Sequence, residues 1–363
     1  MPAPTLETRQ GLLSSYLIIN LTISVNSKVI IIAEAGVNHN GDIKIAFQLI
    51  DAAKEAGADY VKFQTFIPEL LVSKDALKAD YQQQNTGNQG TQQEMLKKLA
   101  LTYDQFDELF NYCKAVGIGF LSTGFDDKSI RFIDSLNVDF HKVPSGEITN
   151  LPYLRLIGSL GKRILLSTGM ATLAEVKDAI QILCKQKVTK DQITVLQCTT
   201  EYPAPYNEVN LLAILSMRQS LGVNTGFSDH TAGIEIPIAA VALGATVIEK
   251  HFTLNRQLPG PDHKASLEPD ELAAMVKAIR NVELAMGTGI KSPSFSESKN
   301  IRAARRSIHI SHDLSMGHIL REQDLIMKRP GDGISPMLIS KVIGKTTKLN
   351  LVKDTLLTWE HLK

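Results

Sequence analysis

The chain carries almost no net charge: 39 lysines and arginines offset 38 aspartates and glutamates over 363 residues, leaving +1 at neutral pH. No global field therefore points to nucleic acid or an anionic membrane as a partner, and any affinity for an anion has to be local. Cysteine is scarce too. Cys113, Cys184 and Cys198 lie far apart, with no CxxC spacing and no even-numbered framework. That argues against a disulfide scaffold and fits buried thiols in a reducing cytoplasm. Nor is there a hydrophobic run long enough to span a bilayer. The nearest approach, Leu12 to Val25 behind Arg9, is broken by Ser, Asn and Thr and lacks a small-residue cleavage site. It reads better as part of a β-hairpin, Tyr16 to Ser24 pairing with Val29 to Ala33 across Asn26 and Ser27, behind a disordered first dozen residues. Residues 1–28 would then be an extension that closes one end of a barrel.

What the chain does have is hydrophobic content, 44%, ample for one large core and a smaller unit. From Val29 onward β-branched runs alternate with amphipathic stretches. The expected strands are Val29 to Ala33, Tyr60 to Gln64, Gly119 to Thr123, Asp139 to Val143, Arg163 to Ser167, Ile193 to Cys198, Val223 to Phe227 and Ala245 to Glu249. Ile43 to Ala56, Tyr103 to Val116, Leu173 to Cys184, Leu211 to Leu221 and Pro269 to Met286 have helical periodicity. Eight such units predict an α/β fold, a (β/α)8 barrel over residues 29–290, with its active site where the C-terminal strand ends meet their loops. Asp80 to Gln93 is almost wholly polar and breaks the short-loop rule, so it reads as a disordered segment, a lid or a subunit contact. Ser292 to Lys299 is rich in Ser, Pro, Glu and Lys and reads as linker, within a boundary of 291–304. A small domain follows over 305–363, with strands expected at Ser307 to Ile310 and Thr347 to Leu351. Roughly sixty residues make a marginal core, so this unit is expected to pack on a barrel, its own or a neighbour's, which suggests a dimer.

Nearly every expected strand finishes in polar residues that a barrel core does not need. Glu34, Lys62 with Gln64, Thr123, Lys142 with Ser145 and Glu147, Ser167, Tyr202, Ser228 with His230, and His251 all fall at such ends. A single polar end is ordinary solvation. Eight converging ones suggest a site. His230 and His251, flanked by Asp229 and Glu249 and followed by the turn at Asp262, read as an open divalent-metal site, or else as satisfied polar residues at strand ends. Lys62 and Lys142 stand beside hydroxyls and glycine turns, an arrangement suited to a phosphate or a carboxylate. Either could instead form a Schiff base, against which the two histidines argue, or make a plain salt bridge with Glu34 or Glu147. Arg329, in the loop Lys328 to Gly333, has the planar donor fork to reach over a substrate, or is a surface arginine.

These stretches together resemble the sialic acid synthase family. The resemblance is carried by AEAGVNHNGD at Ala33 to Asp42, VKFQTF at Val61 to Phe66, FLSTGFD at Phe120 to Asp126 and KVPSGE at Lys142 to Glu147. LLSTGMA at Leu165 to Ala171, CTTEYPAP at Cys198 to Pro205, GFSDHT at Gly226 to Thr231 and EKHFTL at Glu249 to Leu254 extend it. GPDHKASLEPDEL at Gly260 to Leu272 and KRPGDGISP at Lys328 to Pro336 complete it, from Val29 to Lys363. It implies a TIM barrel followed by an antifreeze-like (SAF) domain, a domain-swapped homodimer and a divalent cofactor, Mn2+ or Mg2+, held by His230 and His251. It implies that Lys62, Thr123, Lys142, Ser145, Ser167 and Ser228 hold phosphoenolpyruvate. Gln64, Tyr202, Asp262 and the partner chain's copy of Arg329 would hold an N-acetylated mannosamine-type sugar, with Glu34 and Glu147 handling protons. Thr199-Thr200 departs from the pattern, because many neuraminate synthases have an asparagine there.

The expected reaction joins carbon 3 of phosphoenolpyruvate to the aldehyde of the open-chain sugar, adds water at carbon 2 with Glu147 as base, and releases phosphate. EITNLPYL at Glu147 to Leu154 and the CTTEYPAP and GPDHKASLEP stretches look closer to the legionaminate synthases, which take a 6-deoxy diacetamido sugar. N-acetylneuraminate synthase is the alternative, then pseudaminate synthase. From other classes come a Schiff-base sialic acid lyase using Lys62 or Lys142, and a sugar-binding protein with a disabled site.

Overall fold

The computed structural model describes residues 28–363 apart from Asn88, and the expected Tyr16 to Ser24 strand and disordered leader lie outside the described residues. The chain divides into two compact units, ending at Thr288 and beginning at Gly289. In the first, eight strands form one parallel sheet: β1 (Ile30–Gly36), β2 (Tyr60–Thr65), β3 (Gly119–Gly124), β4 (Phe140–Val143), β5 (Arg163–Ser167), β6 (Ile193–Cys198), β7 (Asn224–Asp229) and β8 (Val247–His251). Their order is β3-β2-β1-β8-β7-β6-β5-β4, and β3 comes round beside β4 to give a nearly closed, TIM-like barrel. Among the described residues no helix is long and apolar enough to cross a membrane.

Helices on the outside start where short side chains satisfy free backbone donors. Thr102 opens Tyr103–Val116 and Thr172 opens Leu173–Cys184. In each the hydroxyl accepts from the third helical N–H while Gln105 or Glu175 reaches back to the cap. Their inner faces pack on the outer faces of the strands, as Leu109 and Phe106 do against Phe63 and Phe120.

Strand periodicity connects this core to the site. Successive side chains point to opposite faces, so residues two apart share one. Ile32, Leu121, Phe140, Leu165, Leu196 and Val247 meet as an aliphatic and aromatic layer inside the barrel. Two places further along those strands stand Glu34, Thr123, Lys142, Ser167, Cys198 and Glu249, all buried. The polar layer is thus the next storey of the same barrel.

Phe66 to Thr102, between β2 and its following helix Tyr103–Val116, folds into helices Pro68–Leu71, Asp80–Thr86 and Gln92–Leu99. The polar stretch is therefore structured through most of its length. Lys78 accounts for part of that: its buried ammonium donates to the Gly87 and Gln89 carbonyls and to Thr86 Oγ1, at 3.0, 2.7 and 3.2 Å.

In the second unit β9 (Ser307–Ile310) pairs antiparallel with β10 (Leu325–Lys328). Ile308, Ile310, Leu314, Leu320, Ile334, Val342, Leu351, Leu357 and Leu362 form its core. The strand expected at Thr347 to Leu351 is replaced by two isolated bridges, Thr347 to Leu362 and Leu314 to Leu351. Lys348, Leu349 and Asn350 are all exposed between two buried ends, a spacing that no half-buried strand has. The stretch read as linker is helical from Phe295 to Ala304, because Ser294 and Glu297 form a reciprocal cap.

Candidate active site

At the C-terminal end of the barrel the polar layer floors a cavity of about 280 Å³. Its centre is Glu249, which the sequence marks only as a neighbour of His251. Glu249 Oε1 accepts from Ser228 Oγ at 2.9 Å and lies 3.5 Å from Lys142 Nζ, while Oε2 lies 3.5 Å from Lys62 Nζ. Burial alone would raise this carboxyl, but the two ammonium groups pull it down to about 2. Glu34 has one close cation, Lys62, at 2.8 Å, and there burial wins, lifting it to about 7. Two carboxylates in one site are thereby driven apart, one fixed as an anion and one poised to exchange a proton near neutrality. Lys62 is raised despite its burial by Glu249 and Glu34, and it also donates to Thr123 Oγ1 at 3.2 Å. Burial lowers Lys142, with the Lys62 charge adding to it and Glu249 opposing it.

Hydroxyls flank the lysines. Ser167 Oγ is buried without a hydrogen-bond partner. Ser145 Oγ accepts from the Gly169 N–H at 2.9 Å. Gly169 is fixed by crowding: an added Cβ would fall 2.0 Å from Thr200 Oγ1 and 2.9 Å from Ser145 Oγ.

The two histidines face each other across β7 and β8, ring centroids 5.4 Å apart. His230 Nδ1–H donates to the Thr199 carbonyl at 2.7 Å, and although burial would lower this ring, Cys198 and that carbonyl outweigh it and raise it. His251 Nδ1 is buried without a partner, and burial together with His230 holds this ring well below its ordinary value, hence neutral. Two imidazoles, one oriented by a carbonyl and one with an orphaned nitrogen, fit a divalent ion completed by substrate and water. No group of three or more His, Cys, Asp or Glu among the described residues makes a ready cage. Tyr202 stacks on His230 at 4.1 Å, and Cys198 Sγ lies 3.8 Å from His230 Nδ1. Asp262 closes this side, pushed up to about 6 by burial. Gln64 Nε2 donates to Glu34 Oε1 at 3.4 Å.

Two expected residues stand apart. Glu147 is outside the cavity lining, its Oε2 accepting from Asn150 Nδ2 at 2.6 Å in the short turn Ser145–Glu147. Its strand, β4, ends at Val143, and the turn carries the side chain away from the inward register that Lys142 keeps. Arg329 belongs to the second unit, where its Nε donates to the Ala304 carbonyl at 3.1 Å.

Comparison with known proteins matches residues 49–291 to the NeuB family and residues 305–363 to the SAF domain. The chain is 50% identical over 330 residues to the N,N'-diacetyllegionaminic acid synthase of Campylobacter jejuni, covering 91% of this chain and 99% of that protein. It is 47% identical to the protein of the same name from Legionella pneumophila, covering 92% of this chain and 94% of that one. Among solved structures, the N-acetylneuraminic acid synthetase of Leptospira borgpetersenii, in complex with citrate, is similar at 33% identity and a TM-score of 0.66, over 76% of this chain and 91% of that one.

Proposed function

This chain belongs to the NeuB family, and from that premise we propose that it condenses phosphoenolpyruvate with 2,4-diacetamido-2,4,6-trideoxymannose and water, releasing phosphate and N,N'-diacetyllegionaminic acid. The observation that carries this reading is the 50% identity over 91% of the chain to a synthase of that name. A cavity floored by two lysines, three serines and two carboxylates of opposed proton affinity supports it.

Lys62 and Lys142 hold the phosphate and carboxylate of phosphoenolpyruvate, with Ser145, Ser167, Ser228 and Thr123 as neutral donors. Lys62, between two carboxylates, stays an ammonium and is no Schiff-base nucleophile. Gln64, Tyr202 and Asp262 orient the sugar. His230 and His251 hold Mn2+ or Mg2+, which supplies Lewis acidity for a carbonyl. When carbon 3 of phosphoenolpyruvate bonds to the sugar's aldehyde carbon, the carbonyl π pair passes to the aldehyde oxygen, which takes a proton from protonated Glu34, and carbon 2 becomes electron-deficient. Water adds there, its proton passing to Glu34, and the tetrahedral centre then loses phosphate by cleavage of the carbon–oxygen bond. Glu34 takes the role that the sequence assigns to Glu147, since it lines the cavity and its carboxyl titrates near neutrality. Arg329 acts on the acylamino group from the partner in a homodimer, a role that its exposed position leaves open.

The test is phosphate release from phosphoenolpyruvate with Mn2+, comparing the trideoxy sugar, N-acetylmannosamine and a chelated control. Release favouring the trideoxy sugar and abolished by chelator is the expected outcome. Preference for N-acetylmannosamine would make the reaction neuraminate synthesis, and no release with either sugar overturns the assignment to a synthase.

A further inference from the structure

The stretch between Phe66 and Thr102 supplies one whole side of the cavity, and that side differs in character from the floor. Leu71, Val72, Met95, Leu96 and Leu99 line it together with Tyr81, Gln82 and Gln92, and Met95, Leu96 and Leu99 belong to one hydrophobic cluster with Val37 and Phe66. Every residue that this stretch contributes to the lining is uncharged. The amides within it are engaged with their own neighbours: Gln82 Oε1 accepts from the Ala79 N–H at 3.1 Å and from Gln92 Nε2 at 3.4 Å, and Gln82 Nε2 donates to Tyr81 Oη at 3.3 Å.

The wall is also held in register with the reacting end of the site. Tyr81 packs on Tyr202 with centroids 4.9 Å apart, and Tyr202 in turn stacks on His230. Asn85 Nδ2 donates to the Pro261 carbonyl at 2.6 Å, next to Asp262. A substrate whose carbonyl carbon meets the charged floor thus has a largely aliphatic side within the same cavity.

We propose that Leu71, Val72, Met95, Leu96 and Leu99 form the specificity wall for the non-reacting end of the sugar, accepting a methyl-terminated, acetamido-bearing end and rejecting a terminal hydroxymethyl. The proposal rests on the functional reading above. A hydroxyl pressed against these five side chains loses water and gains no hydrogen bond from them, whereas a methyl group packs on their carbon; Tyr81, Gln82 and Gln92 line the same side beside them. Apolar walls reject an added hydroxyl by about 10- to 100-fold at most, so that is the scale of preference to look for.

The test measures kcat/KM for 2,4-diacetamido-2,4,6-trideoxymannose and for N-acetylmannosamine in the full chain and in Val72→Thr and Leu71→Asn. Both positions are half-buried, and Val72→Thr is nearly isosteric, so at least one variant keeps the fold. The expected result is a ratio of the two kcat/KM values that falls about tenfold in the variants, with KM for phosphoenolpyruvate unchanged. A wild-type preference for the trideoxy sugar that the variants leave intact overturns the wall alone, as does equal loss toward both sugars. A wild type that prefers N-acetylmannosamine or releases no phosphate overturns the functional reading, and the wall falls with it.

Discussion

Lys250 Nζ lies 2.5 Å from Asp229 Oδ2, and neither side chain has any exposed surface. The pair joins the residue before His251 to the residue before His230, on the outer face of β7 and β8, opposite the cavity. Lys250 also donates to the Thr231 carbonyl at 2.5 Å, and Asp229 accepts from the Thr231 N–H and hydroxyl. The two inward imidazoles are thus set by an outward ion pair one residue away. Lys250→Met leaves a buried carboxylate without its cation and should cost about 3–5 kcal/mol of stability. The double variant with Asp229→Asn should recover part of that loss. Urea unfolding of the two proteins checks this, and equal destabilisation in both would refute the pairing argument.

His251→Ala should abolish phosphate release while leaving circular dichroism and the unfolding midpoint close to wild type. The ring stands at the mouth with an unpartnered nitrogen, so the fold does not depend on a bond from that nitrogen. A titration with Mn2+, followed by its electron paramagnetic resonance signal, should show lost binding in the variant. Full turnover by His251→Ala would remove the metal from the reaction.

Glu34→Gln keeps the hydrogen bond from Gln64 within reach but removes the proton acceptor. General acid–base catalysis is worth about 10²–10⁴-fold, so kcat should fall on that scale with smaller change in KM for phosphoenolpyruvate. Glu147→Gln should change kcat by far less, because Asn150 holds that side chain outside the cavity. The reverse ranking would return the base role to Glu147.

Most of the barrel was legible because β-branched runs of strand length recur between helical ones. Arg163–Ser167, Ile193–Cys198, Tyr103–Val116 and Leu173–Cys184 begin and end where the pattern puts them. The floor of the site was legible for a related reason: Lys62, Lys142, Ser167 and Ser228 are hydrophilic where an inward-facing strand position would otherwise be apolar. Glu249 is less legible, because in sequence it reads as a partner of His251. Alternation puts it on the same face as His251 and turns Lys250 outward, which is the signal that could have placed it among the lysines. The helices at Asp80–Thr86 and Gln92–Leu99 were hidden by polar composition. Thr91 and Glu94, a reciprocal cap, announced the second of them.

Gly169→Ala tests how tightly the hydroxyl rim is built. The new methyl group would overlap Thr200 Oγ1 and crowd Ser145 Oγ, and such overpacking costs about 1–3 kcal/mol. If Ser145 binds phosphoenolpyruvate, KM for that substrate should rise about tenfold or more while KM for the sugar moves less. Adding Thr200→Ser should relieve little, since the offending oxygen remains, whereas Thr200→Ala should restore much of the loss.

Acid should weaken the second unit through one carboxylate. Asp324 is buried there, accepting from the Arg321 N–H at 2.8 Å, with His318 Nε2 at 2.8 Å and His312 Nε2 at 3.5 Å. Burial by itself would raise Asp324, but these donors outweigh it and hold the carboxyl below its ordinary 3.8. The folded unit therefore binds this proton less readily than the unfolded chain does. Its contribution to stability is complete above the ordinary aspartate range and is lost as pH falls through the lowered value. The chain's single tryptophan, Trp359, lies in this unit and reports on its unfolding. Followed by Trp359 fluorescence, Asp324→Asn should unfold at lower temperature than wild type at pH 7, and the gap should close as the pH is taken below 4. A gap that stays constant with pH would mean that the side chain acts through its neutral hydrogen bonds, with the charge contributing nothing.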